Sequence, residues 1–147
     1  MTLTRPAGLN IFALKPQEIS ARTRITDLMH ILIVEDDALL AINIQMLVED
    51  LGAASSQIVA TEIAAIEQAR RFRPNLIISD LHLQQGLGVT AVQTIRASIG
   101  NVPVVYVTGD PEEALRLDPA ALVLSKPLKE KELIAAIERL KPLMEDQ

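Results

Sequence analysis

The chain has 147 residues, 49% of them hydrophobic, with a mean hydropathy of +0.26 and a formal net charge of −5. That length suits one domain with a short appendage. The absence of cysteine excludes disulfides, thiolate metal sites and thiol catalysis. No apolar run nears the roughly 18–20 residues that a membrane span needs.

Residues 1–28 read as an N-terminal extension, flexible or loosely docked, because Pro6, Gly8 and Pro16 interrupt it. A short helix over 17–28 is conceivable, with Pro16 at its first turn, although Thr23, Ile25 and Thr26 are indifferent helix formers. Arg5, Pro6, Lys15 and Pro16 break up any secretory h-region, so the protein is read as soluble and cytoplasmic. Arg5, Lys15, Arg22 and Arg24 against Glu18 and Asp27 give the extension a balance of +2, which leaves −7 for the rest. An acidic body argues against nucleic-acid binding, which needs a basic face. Met29 directly precedes the first apolar run and stands as an alternative translation start.

From His30 onward, strand and helix patterns alternate five times. Strands are expected over 30–35, 57–60, 76–80, 102–107 and 121–125. Helices are expected over 37–50, 62–73, 89–99, 111–117 and 129–141. Gly52 is placed to cap the first helix, Thr61 to begin the second and Asp110 to begin the fourth. The strands are continuously apolar, as parallel strands covered on both faces are, which implies a doubly wound α/β sheet with right-handed crossovers. Few aromatics occur, 2% of the chain, so the core is expected to be aliphatic. Leu133, Ile137, Leu140 and Met144 recur at helical spacing and mark the buried face of the last helix.

Four of the strands stop at chemically distinctive residues: Glu35-Asp36-Asp37, Asp80, Thr108 and Lys126. In a parallel sheet these groups gather at one edge, where open α/β sheets bind ligands. An acid pair plus a third carboxylate suits a hard cation such as Mg²⁺, with room left for water and phosphate. Asp80 is expected to be the accessible carboxylate, able to attack a phosphoryl group in line. Thr108 and Lys126 would contact phosphoryl oxygens, with the backbone N–H groups of Leu81, His82 and Gly109 as further donors. Asp37 is assigned to capping the first helix and His30 to a structural role.

The segments ILIVEDD, LIISDLHL, VVYVTG and LSKP, in that order and spacing, resemble the receiver domain of two-component response regulators over residues 29–147. The resemblance implies a five-stranded parallel sheet of flavodoxin-like order 2-1-3-4-5. It further implies that Glu35 and Asp36 hold Mg²⁺ together with Asp80, and that His82 lends its backbone carbonyl to the metal. Asp80 would accept phosphate from a histidine kinase or histidine phosphotransfer protein, and Thr108 and Lys126 would read the phosphoryl group. The Lys126–Pro127 bond is usually cis in that family. A regulator, not an enzyme, is implied, with output by partner binding or as a phosphate sink.

Three features depart from that pattern. Glu35 stands in place of the commoner aspartate, Lys126 follows Thr108 by only 18 positions, and Val123 occupies the place where many receivers carry an aromatic switch. A stunted fourth helix is therefore expected, and the segment 110–119 must carry any signal itself. Competing readings are a degenerate receiver that only binds protein, a flavodoxin-like binding module and an aspartate-nucleophile phosphohydrolase. The phosphohydrolase needs a second Asp two residues after the nucleophile, where His82 stands. The first helix also shows two apolar stripes. Leu40, Ile44, Leu47 and Leu51 form a core face, while Leu39, Ile42 and Met46 form another, a candidate docking face for a histidine-bearing helix.

Overall fold

The computed structural model describes residues 29–145; the extension, with the segment 17–28 weighed as a short helix, lies outside them. The elements alternate as β1 (His30–Val34), α1 (Ala38–Asp50), β2 (Ser55–Val59), α2 (Glu62–Arg71), β3 (Leu76–Ser79), α3 (Gly88–Ile99), β4 (Val104–Thr108), α4 (Pro111–Leu117), β5 (Leu122–Ser125) and α5 (Glu130–Glu145). All five strands are parallel, in the order β2-β1-β3-β4-β5. That is the doubly wound, flavodoxin-like arrangement expected.

Side chains of successive strand residues point to opposite faces, so each strand feeds two cores. Ile31, Ile33, Ile78, Val105 and Val107 pack with Ile44 and Val48 of α1 and with Leu133, Ile137 and Met144 of α5. Leu32, Val34, Ile77 and Tyr106 pack on the other face with α2, α3 and Ala114 of α4. Two buried faces explain why the strands read as unbroken apolar runs. None of the described helices is long and apolar enough to cross a membrane.

Several element boundaries differ from expectation, and the larger shifts have local reasons. β2 begins at Ser55 because the polar edge residues Ser55 and Ser56 pair with His30 and Ile31. β4 begins at Val104 and ends at Thr108, since Pro103 has no N–H to give a ladder and Thr108 still pairs with Ser125. α2 stops at Arg71, three residues before Pro74. α5 runs through Pro142 to Glu145, which buries Met144. The expected caps are present: Asp37 Oδ1 accepts from the Leu39 and Leu40 amides, Thr61 Oγ1 from Ala64 and Asp110 Oδ1 from Glu113. α4 is short, as the spacing demanded, with seven residues.

Candidate functional site

Register brings the strand ends together. Val34 pairs with both Val59 and Ser79, and Thr108 with Ser125, so the next residues along β1, β3 and β5 emerge side by side. The ladder runs one step further, with Asp80 N–H donating to Val34 O at 2.8 Å and Lys126 N–H to Thr108 O at 2.9 Å. Gly88, at the start of α3, lies so close to the Asp80 carbonyl that any Cβ there would collide with it. This fixes the backbone beneath Asp80.

Glu35, Asp36 and Asp80 each offer a carboxylate oxygen, and these three oxygens lie within 4.8 Å of one another. Lys126 Nζ sits 2.7 Å from Asp80 Oδ2 and 3.2 Å from Glu35 Oε1. Glu35 is 2% exposed and Asp80 7%, while Asp36 is only half-buried. The expectation that Asp80 is the accessible carboxylate is therefore corrected. It is enclosed beneath Lys126, and Asp36 is the open one.

The charges respond to this enclosure. Burial pushes the Glu35 carboxyl above its ordinary range; the neighbouring Asp80 adds to the rise, while the Asp37 amide and Lys126 oppose it. Burial alone would lower the Lys126 ammonium, but its bonds to Asp80 and Glu35 outweigh that and raise it. Glu35 Oε2 accepts from the Asp37 N–H at 3.0 Å, whereas its buried Oε1 faces only the Lys126 ammonium at 3.2 Å, with no hydrogen bond of good geometry among the described residues. A buried carboxylate oxygen held by an ion pair alone, beside two more hard oxygen donors, fits a small divalent cation.

Thr108 is buried beside this cluster, its Oγ1 accepting from the Asp110 N–H at 3.1 Å. The Lys126–Pro127 bond is cis, as the resemblance implied. The His82 side chain turns away from the acids to meet Glu113 of α4, Nε2 to Oε2 at 2.8 Å. Gly109 is exposed with open space above it. On β4, Tyr106 lies across from Val123 and is fully buried. Among the described residues its hydroxyl makes no hydrogen bond of good geometry; burial, and then the nearby Asp118 carboxylate, push it above the usual phenol range.

Sequence reasoning did not foresee two contacts at the rim. Gln84 N–H donates to Asp36 Oδ2 at 2.7 Å, and Glu62 of α2 grips the loop that carries Gln84. In the sequence, Glu62 was visible only as a helix start and 84–88 only as a loop.

This sheet and this cluster define a receiver, and the chain belongs to the response regulator receiver domain family, whose model matches residues 31–138. It is 36% identical over 112 residues to the phyllosphere-induced regulator PhyR of Methylorubrum extorquens, an alignment that covers 73% of this chain and 41% of PhyR. The chain thus spans less than half the length of that relative. It is similar to the crystal structure of the anti-anti-sigma factor PhyR from Bartonella quintana, with a TM-score of 0.71 and 26% identity over 88% of this chain and 53% of that one. It also resembles the receiver domain of sensor histidine kinase PA1611 from Pseudomonas aeruginosa, which has a magnesium ion coordinated in its active-site cleft. That likeness has a TM-score of 0.67 and 30% identity, over 76% of this chain and 95% of that one.

Proposed function

We propose that the chain is a phosphoacceptor receiver in a two-component phosphorelay, phosphorylated on Asp80 by a histidine kinase or histidine phosphotransfer protein. The observation that carries this reading is the meeting of three carboxylate oxygens within 4.8 Å, with Lys126 Nζ 2.7 Å from Asp80. Glu35, Asp36 and Asp80, with the His82 backbone carbonyl, would hold Mg²⁺. Bound there, the ion spreads the negative charge that otherwise opposes approach of a phosphoryl group. An Asp80 carboxylate oxygen forms the new O–P bond as the P–N bond of the phosphohistidine breaks, its electron pair staying on the imidazole nitrogen. Lys126 pairs with an oxygen of the transferred group and the Thr108 hydroxyl donates to another. The product is an aspartyl phosphate.

The donor helix is read onto α1. Leu39, Ile42 and Met46 are 71%, 48% and 58% exposed, forming an apolar stripe on the side of α1 away from its core face. Beside them a groove lined by Leu39, Leu40, Asn43, Lys126, Pro127 and Leu128 leads to the site. Output is read as binding of a protein partner, or as drainage of phosphate from the relay, from a cytoplasmic location. The likeness to an anti-anti-sigma factor and the acidic body favour a protein partner over DNA.

Incubation with Mg²⁺ and acetyl phosphate, followed by intact mass, tests the reading. A gain of one phosphoryl group that requires Mg²⁺ and disappears in Asp80→Asn is expected. Undiminished uptake by folded Asp80→Asn overturns the assignment.

A further inference from the structure

The loop between β3 and α3 has little packing to hold it, since residues 84–87 are exposed. It closes on itself through Leu83 N–H to Gly86 O at 3.2 Å and Gly88 N–H to Leu81 O at 2.8 Å. Its tip is gripped from outside by Glu62, in the first turn of α2. The Glu62 N–H donates to Gln85 O at 3.1 Å, and Glu62 Oε1 accepts from the Leu87 N–H at 3.0 Å. These two bonds straddle Gly86, whose φ of +94° favours glycine and whose Cβ, if it had one, would strike the Glu62 side chain. Two residues upstream of Gly86, the Gln84 N–H donates to Asp36 Oδ2 at 2.7 Å.

Exposed hydrogen bonds of this kind add little to stability, because they replace bonds to water. Their larger effect here is on geometry. Asp36 is the least buried of the three acids, and the Gln84 amide holds its carboxylate in place. A charge-assisted bond from a backbone amide is short and directional. Hydrogen bonds to a ligating carboxylate orient it for the metal, and their loss typically weakens metal affinity 10–100-fold.

We propose that Glu62 is a positioning residue for the acid cluster: by clasping the loop on either side of Gly86, it holds the Gln84 amide against Asp36 and pre-sets that carboxylate for a divalent cation. The inference rests on the reading of Glu35, Asp36 and Asp80 as Mg²⁺ ligands. It implies that the first turn of α2, which contributes no ligand, tunes the metal affinity of the site. A backbone donor also makes the identity of residue 84 immaterial, unless that residue is proline.

Isothermal titration of the full chain with Mg²⁺ alone tests this, with thermal unfolding to verify each fold. Gln84→Pro removes the donor and Glu62→Ala removes the side-chain half of the clasp, the bond from Leu87; each is expected to weaken metal binding about 10-fold or more. Gln84→Ala keeps the N–H, and Glu62→Gln keeps an oxygen that accepts from Leu87, so both should bind as the unaltered chain does. The Glu62→Gln variant also separates the clasp from mere loss of a negative charge. Unchanged affinity in Gln84→Pro and Glu62→Ala, or equal weakening in the two conservative variants, overturns the inference and leaves the metal site standing. Failure of the unaltered chain to bind Mg²⁺ overturns the metal-site reading and the inference together.

Discussion

The two ends of the sheet bury polar groups in opposite ways. At the amino end each half-buried polar group has its complement. The His30 N–H donates to Asn75 Oδ1 at 2.8 Å, the imidazole Nδ1 meets Ser55 Oγ at 2.7 Å, and Asn75 Nδ2 donates to Met144 O at 3.2 Å. The ring of Phe72 packs edge-on against His30. At the carboxyl end three acids crowd one lysine, and among the described residues a buried oxygen of Glu35 has only that ammonium, at 3.2 Å, and no well-aligned hydrogen bond. Polar burial at the first end serves the fold, whereas at the second it is held at the fold's expense. Groups arranged against their own electrostatic preference are the expected mark of a site awaiting a ligand.

Three substitutions or measurements sharpen that contrast. The largest effect on stability is expected from Asn75→Ala, which strands the His30 N–H and should lower unfolding free energy by about 1–3 kcal/mol. Asp80→Asn, at the other end, should leave stability unchanged or raise it, because it relieves repulsion within the acid cluster. Urea unfolding of both variants measures the difference, and a larger loss in Asp80→Asn would break the comparison.

Next in size is a change in local order. Of α4's apolar residues only Ala114 is buried, while Leu115 and Leu117 are each 44% exposed, so little packing holds the segment. Addition of Mg²⁺ and beryllium fluoride, a mimic of the aspartyl phosphate, should change amide-exchange protection over residues 109–119 more than over 81–88. Val123 on β5 is β-branched, with few rotamers available, which is why the signal is assigned to the α4 segment rather than to a strand-5 rotamer. Unaltered exchange over 109–119, with clear change elsewhere, would refute that assignment.

The smallest effect is a slope in pH. Burial holds the His30 imidazole below its ordinary value of 6.5, against a raising contribution from its bond to Ser55. The unfolded chain therefore takes up this proton first as pH falls. The stability His30 contributes is complete above pH 6.5 and declines as pH drops below it. Unfolding curves at pH 8 and 5.5 should show that decline, and His30→Gln should flatten part of it.

What the sequence made legible follows from what repeats locally. Apolar runs and cap residues located every strand and helix of the described chain, and the strand-end positions of Glu35, Asp36, Asp80, Thr108 and Lys126 followed from them. Edges were harder. Ser55 and Ser56 carry no apolar signal because β2 is an outer strand, and Pro142 masked a last helical turn that Met144 holds in place. The enclosure of Asp80 was missed because Lys126 reaches it across 46 residues of sequence. The Glu62–Leu87 bond and the His82–Glu113 contact were likewise invisible, since they join residues 25 and 31 positions apart through single atoms. No periodicity encodes such contacts.

The burial of Tyr106 has a consequence for optics. The chain contains one tyrosine and no tryptophan, so its tyrosine emission comes from a single address. That address is two residues before Thr108, across from Val123 and close to the Asp118 carboxylate that follows α4. A charged carboxylate close to a phenol affects how strongly it emits. The native chain therefore carries an unlabelled fluorophore placed between the strand end that would read the phosphoryl group and the short helix assigned to respond, where any shift of Asp118 registers as a change in brightness.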